Sequence, residues 1–226
     1  ATAEVWYRLL NLGFRIPAAG GTDAMANFAS LRGPVGMNRV YAQVPEGRLT
    51  QADFVDAIRH GHTFATNGPL LGFTLEGMQP GEELHLRGAP AHAAFVARLR
   101  SIVPVDHLDL VCNGNVVRSL LRRPSTHADY QGEVPVGQPG WCVLRAWSEG
   151  AKYPVLDKYP YATTSPVYVD IAGVTHRSPE DAAFFVAWID RVTEATTAYP
   201  DWNNPGEKAH VLAQLSAAKA FYLNMR

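Results

Sequence analysis

The sequence predicts an α+β fold: an α/β segment over residues 1–61, an antiparallel β-sandwich over 62–175 and a helical hairpin over 176–226. Three observations point to it. From His62 to Trp147, short apolar runs recur with turn residues between them, which is the spacing of a sandwich. Asn113-Gly114 separates two of these runs and is the strongest hairpin signal in the chain, because a type I′ turn needs positive φ at both central residues. After Ser178, two stretches carry apolar residues at helical spacing: Ala182, Phe185, Val186 and Ile189 in the first, Val211, Leu215, Ala218 and Tyr222 in the second.

Each element has its own local reason. Val5, Trp6, Leu9 and Leu10 stripe a helix that Gly13 stops. The apolar run from Phe14 to Ala19 reads as a strand ending in the turn Gly20-Gly21-Thr22-Asp23. A loop over 24–37 leads to the alternating run Arg39 to Val44. Thr50-Gln51-Ala52-Asp53 has the form of a capping box and opens a helix that ends at Gly61. Sandwich strands are expected at 63–67, 71–76, 83–87, 92–101, 108–113, 115–121, 132–136 and 141–147. A Pro- and Tyr-rich connection over 150–166 precedes one more strand at 167–171, and Ser178-Pro179 and Asn204-Pro205 start the two closing helices. Unpaired strands at the N-terminal edge imply a covering partner, either a missing N-terminal segment or a second chain.

Composition narrows the function classes. A chain of 226 residues that is 47% hydrophobic can bury a substantial core. A net charge of -1 without a long basic run argues against nucleic acid or an anionic membrane surface as the main partner. No apolar stretch approaches the roughly 20 residues of a membrane span. The chain opens without Met and reads as part of a longer or processed protein. Cys112 and Cys142 fall in strand-like runs, where buried free thiols are the expected state, and the compartment stays open.

Chemistry-bearing residues are sparse. Asp23, past a run that glycine lets approach closely, stands where α/β enzymes place catalytic or metal-binding carboxylates; the competing role is a turn cap. Arg32 and Arg39 are candidates for orienting an anionic or carbonyl substrate through a bidentate guanidinium, or else surface ion pairs. Thr66 and Asn67 mark a turn that either faces substrate or is structural. His60-Gly61-His62 straddles a helix stop without a companion carboxylate or Cys cluster and is not read as a metal pair. His85, His92 and His107 read as half-buried polar residues. Trp141, Trp147, Tyr153, Tyr159 and Tyr161 would form a carbohydrate platform or pack the long connection against the core. No Gly-x-Ser-x-Gly, Walker or dinucleotide fingerprint occurs.

Taken together, Trp6-Tyr7-Arg8-Leu9-Leu10-Asn11-Leu12-Gly13, Gly21-Thr22-Asp23-Ala24, Gly33-Pro34-Val35-Gly36, Gly61-His62-Thr63-Phe64-Ala65-Thr66-Asn67-Gly68-Pro69-Leu70 and Thr164-Ser165-Pro166-Val167-Tyr168 resemble the C-terminal part of CehA/McbA family metallohydrolases. That family belongs to the PHP superfamily. The resemblance implies that 1–61 is the C-terminal part of a PHP-type α/β barrel, with Asp23 in the position of the late Asp metal ligand. It implies a divalent metal cofactor (zinc, manganese or iron) whose other ligands lie upstream of Ala1, so that this chain holds it incompletely or not at all. Met25 stands where many PHP proteins carry a second ligand, His, and a thioether is a poor replacement.

Two functions follow as expectations. The first is part of a metal-dependent hydrolase acting on an amide, ester, carbamate or phosphoester, with a small-molecule substrate. The second is a non-catalytic β-sandwich accessory module that binds glycan or a partner protein.

Overall fold

The computed structural model describes residues 2–25, 33–47, 49–88, 91–155, 159–174 and 176–225. In chain order the elements are α1 (Thr2–Asn11), β1 (Arg39–Ala42), α2 (Gln51–His60), β2 (Thr63–Thr66), β3 (Leu70–Leu75), β4 (Glu83–Leu86), β5 (Ala91–Val105), β6 (His107–Cys112), β7 (Asn115–Ser119), β8 (Ser125–Val136), β9 (Gly140–Trp147), β10 (Tyr161–Thr164), β11 (Val167–Ile171), α3 (Pro179–Ala198) and α4 (Pro205–Leu223). The described residues thus form a mixed α+β structure of two sheets and four helices, with no closed barrel among them. No helix of the described residues is long and apolar enough to cross a membrane.

The chain divides into two compact units, residues 15–175 and residues 1–14 together with 176–226. The larger unit holds two sheets sharing one core, a sandwich that is not antiparallel throughout as expected, because β4 pairs in parallel with β11 at the sheet edge. One sheet runs β1-β2-β10-β9-β11-β4, with β6 on the other flank of β9 and β7 beyond it; the second runs β3-β5-β8. Strand β9 is bordered on one side by both β10 and β11, which pair with its two halves. Alternation places Leu71, Phe73 and Leu75 of β3 in one core with Leu108 and Leu110 of β6 and Leu144 of β9. Leu75, Leu99, Leu108, Leu110 and Leu144 have no exposed surface, so this layer is the main source of the unit's stability.

The local signals act as their chemistry requires. Asn113 and Gly114 take φ of 49° and 82° and close the β6–β7 hairpin as a left-handed turn. Thr50 accepts a hydrogen bond from the Asp53 N–H while the Asp53 carboxylate accepts from the Thr50 N–H, a complete capping box, and α2 ends on Gly61 at φ 78°. Ser178 and Asn204 cap α3 and α4 by accepting from Asp181 and Glu207 N–H groups.

Three expectations are corrected. The run from Phe14 to Ala19 is not a strand: side-chain hydroxyls, rather than a ladder, satisfy it, with Ala18 N–H donating to Ser165 Oγ (2.8 Å) and Thr63 Oγ1 donating to the Ala18 carbonyl (2.8 Å). The long connection contains a strand, β10, whose Pro-bounded brevity hid it. Cys112 and Cys142 are not free thiols but a disulfide, because β6 and β9 pair in a register that sets them opposite each other with Cα atoms 4.1 Å apart. Their sequence separation of 30 makes the cross-link worth about 3 kcal/mol through restriction of the unfolded chain. A Cys112→Ala/Cys142→Ala chain is accordingly expected to lose about that much in urea unfolding; an unchanged midpoint would show that the bond contributes no net stability.

Partition of the N-terminal region also differs from the expected boundary at residue 61. Strand β1 pairs along its length with β2, Arg39 opposite Thr66 and Ala42 opposite Thr63, so it is the edge strand of the larger sandwich sheet. Helix α1 instead shares the smaller unit with α3 and α4. Leu12, Ala182 and Phe185 form its core, and Tyr222 stacks on Phe185 at 4.9 Å. Asp181, 6% exposed, accepts from Arg8 and from Asn11 Nδ2 (2.9 Å), which ties α1 to the first turn of α3 and places a carboxylate at that helix's positive end.

Candidate functional site

The turn around Asp23 is placed by Thr22. Its hydroxyl donates to the Asn38 carbonyl (3.0 Å) and accepts from the Asn38 N–H (2.9 Å), pinning the turn beside the first residue of β1. Asp23 itself has φ 55°, the left-handed region that Asp tolerates better than most residues. Arg39 begins β1 at that point. Its Nε donates to Tyr41 Oη (3.1 Å) and its Nη1 to the carbonyls of Gly36 (3.1 Å) and Met37 (3.2 Å). These are neutral acceptors; among the described residues no carboxylate pairs with Arg39. Arg32 lies outside the described residues.

Residues i and i+2 of a strand share a face, so Arg39 and Tyr41 project together, and the guanidinium lies 5.5 Å from the Tyr41 ring centroid. Tyr41 stacks on its cross-strand partner Phe64 with centroids 4.8 Å apart. The pair sits at the β1 edge of its sheet, near β3, the edge of the other sheet, and the mouth between them is open.

Two clefts meet at Tyr41. One, of about 540 Å³, is lined by Met37, Arg39, Leu70, Arg100 and Ile102 and reaches Asn67. The other, of about 550 Å³, is lined by Gln43, His62, Phe64, Gln79 and Arg98. Arg100 differs from Arg39 in its partners. Its Nη2 donates to both Asp129 carboxylate oxygens (3.0 and 2.9 Å) and its Nη1 to the Leu99 and Ala128 carbonyls. The Arg100 hydrogen bonds hold the Asp129 carboxyl below its ordinary range, so the pair is charged and mutually neutralised. Among the described residues lining this cleft, Arg39 is the cation without a carboxylate partner.

The turn residues have structural partners. Thr66 Oγ1 donates to the Pro69 carbonyl (2.6 Å) and accepts from Gly68 N–H (2.9 Å), the geometry of a hydroxyl-stabilised turn. Asn67 Oδ1 accepts from Tyr161 N–H (2.7 Å) and its Nδ2 donates to the Tyr159 carbonyl (2.8 Å), splicing the turn to the start of β10. Asn67 therefore borders the cleft while holding its wall. Sequence reasoning brought Arg39 and Asn67 to this cleft but missed Tyr41, which the i, i+2 spacing from Arg39 signals. Arg100 carried no local signal, since only the sandwich brings it there.

A metal cluster is not formed by these residues. Between residues 5 and 45 Asp23 is the sole residue among His, Cys, Asp and Glu, and among the described residues no group of three such side chains is positioned to hold a metal ion. His60 Nδ1 faces the Asp56 carbonyl (3.0 Å) and His62 Nδ1 the Pro80 carbonyl (2.9 Å), so the two rings are engaged locally. His85 pairs with Asp170, His92 lies near Glu133 and His107 stacks on Trp147. The aromatic platform is not assembled either, since Trp141 is 1% exposed and Tyr153 88% exposed. What remains is an oriented guanidinium at the mouth of a mixed apolar and polar cleft, beside a turn carrying one carboxylate. No family model, curated protein or solved structure matches the chain.

Proposed function

We propose that this chain is part of a metal-dependent hydrolase acting on an amide, ester, carbamate or phosphoester, in which it supplies the substrate-facing wall and one metal ligand, Asp23. The PHP-type barrel and the remaining ligands, in this reading, come from a segment upstream of Ala1 or from a second chain. The observation that supports it most is the Thr22–Asn38 clamp, which holds the Asp23 turn and the start of the Arg39 strand side by side. A carboxylate on one side and an uncompensated guanidinium on the other suit a polarised carbonyl or phosphoryl group. Because the described residues do not by themselves complete a metal site, no step of the reaction is assigned to this chain alone.

Paramagnetic broadening by added Mn²⁺ tests the assignment. Weak binding centred on residues 22–24 is expected, and Asp23→Asn should abolish it. Broadening elsewhere, or equal broadening in the variant, would remove Asp23 from the metal site. Stoichiometric metal retained by this chain after desalting, with chelator-sensitive turnover, would overturn its incompleteness.

The Tyr41–Phe64 stack, bordered by Gln43, Gln79 and Arg98, favours a second reading, an accessory sandwich that binds glycan. Saturable binding of oligosaccharides that Tyr41→Ala removes, with no metal effect at Asp23, would select it.

A further inference from the structure

We infer that the cleft between β1 and the β3–β5 edge binds a small amphipathic molecule with one anionic head group, a carboxylate or phosphate monoester with an apolar body, and that Arg39 is its anion-binding residue. Three observations converge. First, Arg39 is preorganised: two carbonyls and the Tyr41 hydroxyl fix its Nε and Nη1, leaving the rest of the guanidinium fork without a protein acceptor among the described residues. A cation held by neutral oxygens in a half-buried position gains most from an arriving anion, since it need not give up a carboxylate first. Second, the other cation lining the cleft is already engaged, because both Asp129 oxygens accept from Arg100 Nη2 and the Leu99 and Ala128 carbonyls accept from its Nη1. Among the described residues lining the cleft, Arg39 is thus the one cation without a carboxylate partner, which favours a single anionic head group.

Third, much of the remaining wall is apolar and open. Leu70 is 40% and Ile102 72% exposed, and with Met37 and Val155 they face the same cleft of about 540 Å³. That volume suits a small organic ligand rather than a macromolecule. Exposed aliphatic groups arranged around one oriented cation give a head-and-body geometry: anion on Arg39, apolar body across Leu70 and Ile102. The inference requires no metal and stands apart from the role of Asp23. The manganese experiment reads Asp23, and the one below reads Arg39 in metal-free buffer, so the two fail separately.

The chain is titrated by NMR with 4-phenylbutyrate, with phenyl phosphate, and with neutral 4-phenylbutyramide. Both acids are expected to bind saturably, and the amide about tenfold more weakly, the worth of one charge-assisted contact. Arg39→Ala should lower affinity for the acids about tenfold and leave the amide unchanged, whereas Ile102→Ser should weaken all three. The tighter of the two acids identifies whether the natural head group is carboxylate or phosphate. Equal binding of acid and amide, unchanged acid binding in Arg39→Ala, or no saturation would overturn the inference. If Arg39→Ala does not fold, shift changes in the unsubstituted chain decide: they must centre on Met37, Arg39, Leu70 and Ile102, and a different centre overturns it.

Discussion

Replacing Gly81 with alanine is expected to cost about 4 kcal/mol or more of the stability of the sandwich, measured as the midpoint shift in urea unfolding. A Cβ on Gly81 would stand 2.2 Å from the His60 carbonyl oxygen and 2.8 Å from the Gly61 carbonyl carbon, and both obstacles are backbone. Its φ of 93° adds strain for any L side chain. Relief requires moving the end of α2, yet that end is held by the left-handed cap at Gly61 and by the contact between His62 Nδ1 and the Pro80 carbonyl. The Gly81 N–H also donates to the Pro166 carbonyl (2.7 Å), so displacement would also break the tie to the link that joins β10 to β11. Gly88→Ala is the control, because a methyl group there would meet nothing within 4 Å and its φ is ordinary; it should change stability by less than about 0.5 kcal/mol. A small loss at Gly81 would mean that α2 and the β3–β4 connection do not approach as described.

Asp109→Ala is expected to cost about 3–5 kcal/mol, again by denaturant unfolding. The Asp109 carboxylate is 4% exposed and accepts from Ser119 Oγ (2.9 Å), Arg145 Nη2 (3.0 Å) and Trp147 Nε1 (2.9 Å). Removing it takes from the largely buried Arg145 guanidinium the charge that Asp109 supplies and strips Ser119 Oγ and Trp147 Nε1 of an acceptor, and these lost contacts set the magnitude. Asp109→Asn keeps an acceptor and should cost about half as much. The contrast with Asp129 is informative. That carboxylate also accepts from an arginine, Arg100 Nη2, but its side chain is 46% exposed and the pair is screened by solvent, so Asp129→Ala should cost far less than Asp109→Ala. Equal losses at the two positions would show that burial does not control the worth of these pairs.

The disulfide and the Asp109 network sit three rungs apart on the same ladder. Cys112 pairs with Cys142 and Asp109 with Arg145 in the β6–β9 register, with the cystine facing the sandwich core and the ion pair the opposite side. Because side chains alternate, one strand pair carries a covalent bond on one face and a polar network on the other. This explains why β6, whose sequence reads as a nearly continuous apolar run, contains an aspartate at its centre.

Local chemistry was legible in the sequence, and nonlocal pairing was not. The Asn113-Gly114 hairpin, the Thr50 capping box, the caps at Ser178 and Asn204, and the strand runs of β3 and β5 each depend on residues within a few positions of one another, so their types and spacing suffice to specify them. The sandwich and the helical hairpin follow from those signals. Strand-like runs do not name their partners, however. That β1 completes a sandwich sheet by pairing with β2, that α1 joins α3 and α4, and that Cys112 meets Cys142 are outcomes of which apolar faces could be buried together, decided across tens of residues. The same division runs through the site. Arg39 and Asn67 could be singled out from residue type, but only the tertiary structure seats Arg39 against Tyr41, engages Asn67 in holding β10, and brings up Arg100 already neutralised by Asp129. A guanidinium's chemistry is encoded by its residue; whether it meets a carboxylate, a carbonyl or an open cleft is decided by the packing around it.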